Sequence, residues 1–592
     1  MSELGAGSAG AALPNATLEN KYMRMLFERW SKQLSLGGIL LGVVFFALSL
    51  TPSLLPRSFL IQGLLSGCVF AAGYALGTFL QWLWRYLELR PPSAQWRKRI
   101  TTTASILCAL MALYFLWRSS AWQNSIRELM GMAPVEAWNA VLIVVVAILP
   151  AAALIAIGAV LAEGARRIAA RLHPVVPRRL AFVLGVVAVG ALVGLMVDGV
   201  LARGALYVAD QLYARADQLA GQYEAAPTDP LSSGSASSLI DWNTIGRKAR
   251  IYVQSGPTAD EIEAMIGRPA VDPLRIAVGF RSAETADERA QLAFDEMLRV
   301  GAFDRSILVL IMPVGTGWVD PVGIDTLEFL HAGDVASVSV QYSYLTSWVS
   351  LVSQPDVGVD AAQALFSIVY AHWRELPRET RPRLYLYGLS LGAYASEASA
   401  PLYDVLGDPF HGALWVGPPF ANRTWQYAVA NREPGSPPWL PRVGASSTFR
   451  FTTQDNALEI PGAEWGPTRI VYLQYGSDPI VFFEPRAFYR RPEWLTDPRA
   501  PDVSPELDWY PVVTFLQLSF DLTISQAAPP IGFGHVYAPP DYIDAWVAVT
   551  EPPGWTAASL ADLKNRLRRT GTHEAILAGW FRSPRTDDRA AN

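Results

Sequence analysis

The stretch "RLYLYGLSLGAYASEASA", residues 383–400, decides how this chain is read. An apolar, aromatic run over 384–387 reaches Gly-Leu-Ser-Leu-Gly and passes directly into an Ala-rich helical pattern. A strand that becomes a helix through one serine between two glycines presents the serine hydroxyl at the top of a sheet, where a neighbouring base can take its proton. Gly388 and Gly392 supply the minimal side chains that so sharp a turn requires, and Ser390 is the candidate nucleophile. The competing reading is a serine that is merely small enough for a tight turn.

The surrounding rhythm favours the first reading. Short apolar runs at 274–280, 307–312, 335–342, 384–388, 412–417 and 469–475 read as strands. Helical patterns such as "DERAQLAFDEMLRVG" and "AAQALFSIVYAHWREL" lie between them. Continuous buried strands separated by helices indicate a mostly parallel sheet covered on both faces. Such a sheet places its chemistry just beyond the carboxyl ends of its strands.

A base and an acid should follow the serine in that order. Only His411, His535 and His573 lie downstream. His411 precedes a strand and so stands at its wrong end, and His573 sits in a charged C-terminal helical segment. His535, in the Gly- and Pro-rich loop "PPIGFGHVYAPP", is the expected general base, against the alternative of a structural loop histidine. Asp478 in "RIVYLQYGSDPIVFF" stands just past a strand, where it can orient an imidazole; a turn aspartate is the other reading. Asp521 is the reserve acid, and Asp541 and Asp544 come too late in the chain. The oxyanion donors are expected from the amide of Leu391 and from Thr316 and Gly317 in "LVLIMPVGTGWVDP".

The N-terminal third has another character. Apolar runs at 34–55, 58–84, 101–117, 137–162 and 180–201 each approach the roughly 20 residues needed to cross a bilayer. They read as about five transmembrane helices, with Trp and Tyr near several of the proposed ends. Fourteen Lys and Arg precede the first run or lie in the second and fourth connections, against three in the first and third. That asymmetry places the N-terminus in the cytoplasm and everything after the fifth run outside it. Asp198 reads as an interfacial residue at the end of the last run. The expected organisation is a cytoplasmic tail (1–33), a transmembrane domain (34–203), an amphipathic stalk and linker (204–240) and a globular catalytic domain (241–592).

Composition narrows the function classes. The chain is 592 residues long, 51% hydrophobic and 17% charged, with a net charge of −5, which offers no basic face for nucleic acid. Both cysteines, Cys68 and Cys108, lie in apolar runs, so no disulfide framework is expected. The six histidines include no pair at metal-binding helical spacing, and neither a metal nor another cofactor is expected.

Five segments, "GTGWVDP", "VQYSYLTSW", "GLSLGA", "RIVYLQYGSDPI" and "GFGHVY", together with the membrane region, resemble the bacterial membrane-anchored α/β-hydrolase family. That family joins an N-terminal multi-helix membrane domain to a C-terminal hydrolase domain. The resemblance implies a serine hydrolase with Ser390 as nucleophile, His535 as base and Asp478 in the acid position. Where the family often carries an acidic residue before the serine, this chain has Leu389. The expectation is a multi-pass envelope esterase or lipase acting on a lipid or acylated ester, with the bilayer as partner. The aromatic stretch 481–530 is a candidate cap. An acyltransferase using the same three residues, and a non-catalytic membrane scaffold with a hydrolase-fold binding domain, are the alternatives.

Overall fold

The computed structural model describes residues 34–136, 139–195, 225–345, 350, 355–401, 405–496 and 498–570. The tail before residue 34, Asp198, the stalk at 204–223 and His573 lie outside the described residues. The chain forms two compact units. One holds the residues up to Leu50 with Ser58–Ser120 and Glu136–Arg167; the other holds Thr51–Arg57, Ala121–Val135 and everything from Ile168. The second unit therefore takes in Thr51–Arg57, the end of the third apolar helix with the connection after it, and the fifth apolar helix, Arg178–Leu195, along with the globular part.

Helices occupy each of the five apolar runs: α1 (Leu36–Ser49), α2 (Phe59–Tyr86), α3 (Ala94–Leu129), α4 (Asn139–Leu172) and α5 (Arg178–Leu195). Three of them, α2, α3 and α4, are long and apolar enough to cross a membrane. α1 has 14 residues and is shorter than a full span. Glycines bring α1 and α2 together: a Cβ at Gly77 would lie 2.6 Å from the Gly37 carbonyl, and one at Gly73 would meet Phe45 at 2.7 Å. Close backbone approach of this kind is how helices associate where apolar burial offers no driving force. Leu107, Leu113 and Trp117 on α3 and Leu149 and Val160 on α4 are all exposed, an apolar surface that suits lipid.

The second unit is built on seven parallel strands: β1 (Leu274–Val278), β2 (Ile307–Met312), β3 (Val335–Val340), β4 (Arg383–Leu389), β5 (Gly412–Val416), β6 (Phe449–Thr452) and β7 (Arg469–Leu473). Their order across the sheet is β1-β3-β2-β4-β5-β7-β6. Six are the strands read from the sequence; β6 is the addition. Nearly every strand residue is buried, as a sheet covered on both faces demands.

Among the helices of this unit are α6 (Ala286–Val300), α7 (Pro321–Leu330), α8 (Pro355–Glu375), α9 (Leu391–Ser399), α10 (Val513–Ile524), α11 (Pro539–Thr550) and α12 (Ala557–Thr570). α6, α8 and α9 pack side by side as one layer, and α7, α11 and α12 as the other. α6 begins in a full capping box, with Thr285 and Glu288 exchanging side-chain and backbone hydrogen bonds. β4 sits at the centre of the sheet, with Met312 of β2 opposite Gly388 and Val416 of β5 opposite Leu389. The carboxyl ends of β2, β4 and β5 therefore converge on one place, and Ser390 follows the middle one.

Candidate active site

Ser390 joins β4 to α9 with φ 56° and ψ −126°. A side chain rarely adopts such a conformation, and its cost is tolerated where surrounding contacts enforce it. Here the Ser390 amide donates to the Val416 carbonyl at 2.9 Å, fixing the turn to the end of β5. Both flanking glycines are required by close approach: a Cβ at Gly388 would lie 2.3 Å from the Gly392 carbonyl, and one at Gly392 would lie 2.1 Å from the Met312 carbonyl. The second contact also seats the turn against the loop that leaves β2.

His535 and Asp478 meet. The imidazole Nδ1 lies 2.7 Å from Asp478 Oδ2, and the two side chains are 1% and 0% exposed. Asp478 begins a short helix, Pro479–Phe482, and its Oδ1 accepts the Ile480 amide at 2.8 Å. Its Oδ2 also accepts the Tyr537 hydroxyl at 2.7 Å. The carboxylate is thus held on both oxygens, and both ring and carboxyl planes are defined.

The His535 loop is tied down along its length. The Gly534 amide donates to Ser477 Oγ at 2.9 Å, the His535 amide to the Ser525 carbonyl at 3.1 Å, and the Ala538 amide to the Tyr475 hydroxyl at 2.9 Å. Tyr475 in turn donates to Asp541. Burial pushes the Asp541 carboxyl up to about 7, with the Tyr475 hydroxyl opposing the shift.

The imidazole lies directly over Gly417. A Cβ there would stand 2.5 Å from His535 Cε1. Gly417 follows Val416, whose carbonyl holds the Ser390 amide, so the histidine and the serine share one corner of the sheet. His535 Nε2 is buried and has no hydrogen-bond partner among the described residues. A buried ring nitrogen left without a partner calls for an explanation, since buried polar atoms are nearly always hydrogen-bonded.

The oxyanion expectation needs one revision. Leu391 opens α9, so its amide has no acceptor within the helix. The Gly317 amide, however, is committed to the Val314 carbonyl at 2.8 Å in a tight turn. Thr316, half-buried in the same loop, is the remaining expected donor. Asp521, the reserve acid, is engaged by another partner: its Oδ1 pairs with Arg57 Nε at 3.0 Å, and the carboxylate on His535 Nδ1 is that of Asp478. His411 is structural, with Nδ1 accepting the Leu384 amide at 3.1 Å, and burial lowers it to about 4.

Gly417, Tyr537 and Asp320 escaped the sequence reading. Asp320 caps α7 and accepts the Tyr542 hydroxyl at 2.6 Å; burial raises its carboxyl to about 6. The Tyr two residues after His535 was a usable signal, because a loop side chain at that spacing can reach the same acid. Gly417 gave none, since "VGPP" reads as an ordinary strand exit.

A cleft of about 480 Å³ opens beside Phe420, three residues past Gly417, and is lined by Trp425, Phe482, Phe483, Trp494 and Arg486 among others. Part of the expected cap, 481–494, thus forms a cleft wall.

Among known proteins, a family model described as "Alpha/beta-hydrolase family" matches residues 274–563, and one described as "Alpha/beta-hydrolase family N-terminus" matches residues 50–257. No curated protein and no solved structure matches the chain. The matched regions contain the sheet, the serine turn and the Asp478–His535 pair together with α2, α3 and α4; the chain belongs to the alpha/beta-hydrolase family.

Proposed function

We propose that the protein is a membrane-attached serine hydrolase that cleaves a lipid-like or acylated ester through an acyl-serine intermediate. The observation that carries this reading is the buried Asp478–His535 pair, open at Nε2 and set over Gly417 at the corner where Ser390 is held. In this reading His535 Nε2 takes the Ser390 proton as Oγ attacks the ester carbonyl. Asp478 holds the ring and stabilises its cation, without itself taking the proton. The amides of Leu391 and Thr316 stabilise the tetrahedral oxyanion. Collapse expels the alcohol, which receives the proton from His535. Water, deprotonated by the same nitrogen, then releases the acid and restores Ser390.

The aromatic cleft beside Phe420 supports an apolar acyl group, with Arg486 at its wall. The distribution of Lys and Arg supports a cytoplasmic N-terminus and an extracytoplasmic catalytic unit.

The test is turnover of p-nitrophenyl esters of graded chain length by the full-length protein in detergent. Release of nitrophenol that is lost in Ser390→Ala is expected. Failure to turn over any chain length by folded protein would count against ester hydrolysis.

A further inference from the structure

We infer that Thr51–Arg57, the connection between α1 and α2, is a strap that positions the His535 loop, so that the catalytic unit is completed by a segment from far earlier in the chain. The catalytic meaning of the strap rests on the role proposed above for His535.

A seven-residue connection between two apolar helices is ordinarily a surface loop. This one is buried: Ser53, Leu54, Leu55 and Arg57 are 3%, 1%, 0% and 3% exposed. Its polar groups are met largely by α10. Asp521, fully buried, accepts Arg57 Nε at 3.0 Å and the Leu54 amide at 3.2 Å. One turn earlier, Gln517 donates its side-chain amide to the Thr51 carbonyl at 2.9 Å. The second inserted segment adds to this: the Arg57 amide donates to Gln123 Oε1 at 2.9 Å, and Ser125 and Ser504 hydroxyls meet at 2.8 Å.

Two routes lead from the strap to His535. Through α10, the helix gripped at Gln517 and Asp521 ends at Ser525, whose carbonyl takes the His535 amide. Through direct packing, Leu55 lies against the loop: a Cβ at Gly534 would stand 3.1 Å from Leu55 Cδ2. Gly534, at φ 56°, is the residue immediately before the base. A buried ion pair is weak as a source of stability, and its best-attested use is to specify one arrangement. Here the arrangement specified includes the backbone that carries the imidazole.

The experiment is hydrogen exchange read by mass spectrometry on the full-length chain in detergent, combined with the rate of covalent labelling by a fluorophosphonate. Leu55→Ala keeps the ion pair and removes only the apolar contact with the loop. Arg57→Met removes the cation, and Arg57→Lys restores a charge. In Leu55→Ala, exchange at 532–537 should accelerate about tenfold while β4 and β5 keep their protection. First-order labelling of Ser390 should slow by a similar factor with the probe's half-saturation unchanged. Arg57→Met should show the same local signature more strongly, and Arg57→Lys should partly reverse it. Unchanged exchange at 532–537 in Leu55→Ala, or a loss of protection shared equally by β4 and β5, would overturn the strap. Exchange is read without turnover, so a wild-type protein that resists the probe would sink the hydrolase reading while the strap is still decided.

Discussion

Tyr537 donates its hydroxyl to Asp478 Oδ2 at 2.7 Å, the same oxygen that faces His535 Nδ1 at 2.7 Å. The tyrosine and the histidine are two residues apart on one loop, so the carboxylate clamps both ends of that short segment. A hydrogen bond to a charged group is worth about 1.5 kcal/mol or more, roughly tenfold in rate where it orients a reacting group. Tyr537→Phe should therefore lower kcat about tenfold and leave KM near the wild-type value. Steady-state kinetics on a p-nitrophenyl ester checks this; an unchanged kcat would remove Tyr537 from the machinery.

Gly417 is required by the imidazole above it rather than by its own turn alone. A methyl group there would stand 2.5 Å from His535 Cε1 and 2.9 Å from Nδ1, so the ring must move. Gly417→Ala should cut kcat by at least about a hundredfold, in line with the loss expected when a general base is misplaced. The thermal midpoint should fall by only a few degrees. Activity close to wild type would show that the ring sits elsewhere during turnover.

Asp541 offers a pH test outside the reacting groups. Its folded carboxyl is raised by burial to about 7, above the ordinary value of 3.8. The folded state therefore holds a proton that the unfolded state has lost, and stability falls as pH rises from about 4 to about 7. Asp541→Asn removes that term. The variant should gain thermal midpoint relative to wild type across this window, by several degrees, and the difference should stay level above pH 7. Melting curves from pH 4 to 8 read it directly; a constant difference at every pH would contradict the assignment.

Orientation is tested at Leu406, 66% exposed in the second unit. With Cys68 and Cys108 replaced by Ala, Leu406→Cys should react with a membrane-impermeant maleimide in intact spheroplasts. Reaction only after permeabilisation would place the catalytic unit in the cytoplasm.

Much of this architecture was legible because it rests on strong local signals. The strand–serine–helix turn at 388–392, the six long apolar strands and the Gly-rich loop around His535 each follow from side-chain size and apolar patterning. β6 did not show because "FRFT" is four residues with an arginine inside. It becomes a strand through context: Arg450 gives its guanidinium to the carbonyls of Ser446, Leu458 and Ala463 and lies 3.9 Å over the Trp465 ring. Asp521 was equally opaque. Its partner Arg57 is 464 residues away, in a connection that basic-residue counting treats only as a topology marker. Local periodicity carries no information about pairing at that distance. The Gly317 amide was misjudged for a related reason, because glycine spacing reveals a turn without saying which amide the turn consumes.

The central claim is that Ser390 is an activated nucleophile driven by His535. Its most direct measurement is intact-mass analysis of the full-length protein after treatment with a fluorophosphonate, beside Ser390→Ala and His535→Ala. The account predicts one stoichiometric adduct, located on Ser390, in the wild type and none in either variant. Folded wild-type protein that forms no adduct in detergent or in lipid, or a His535→Ala variant labelled at the wild-type rate, would contradict it.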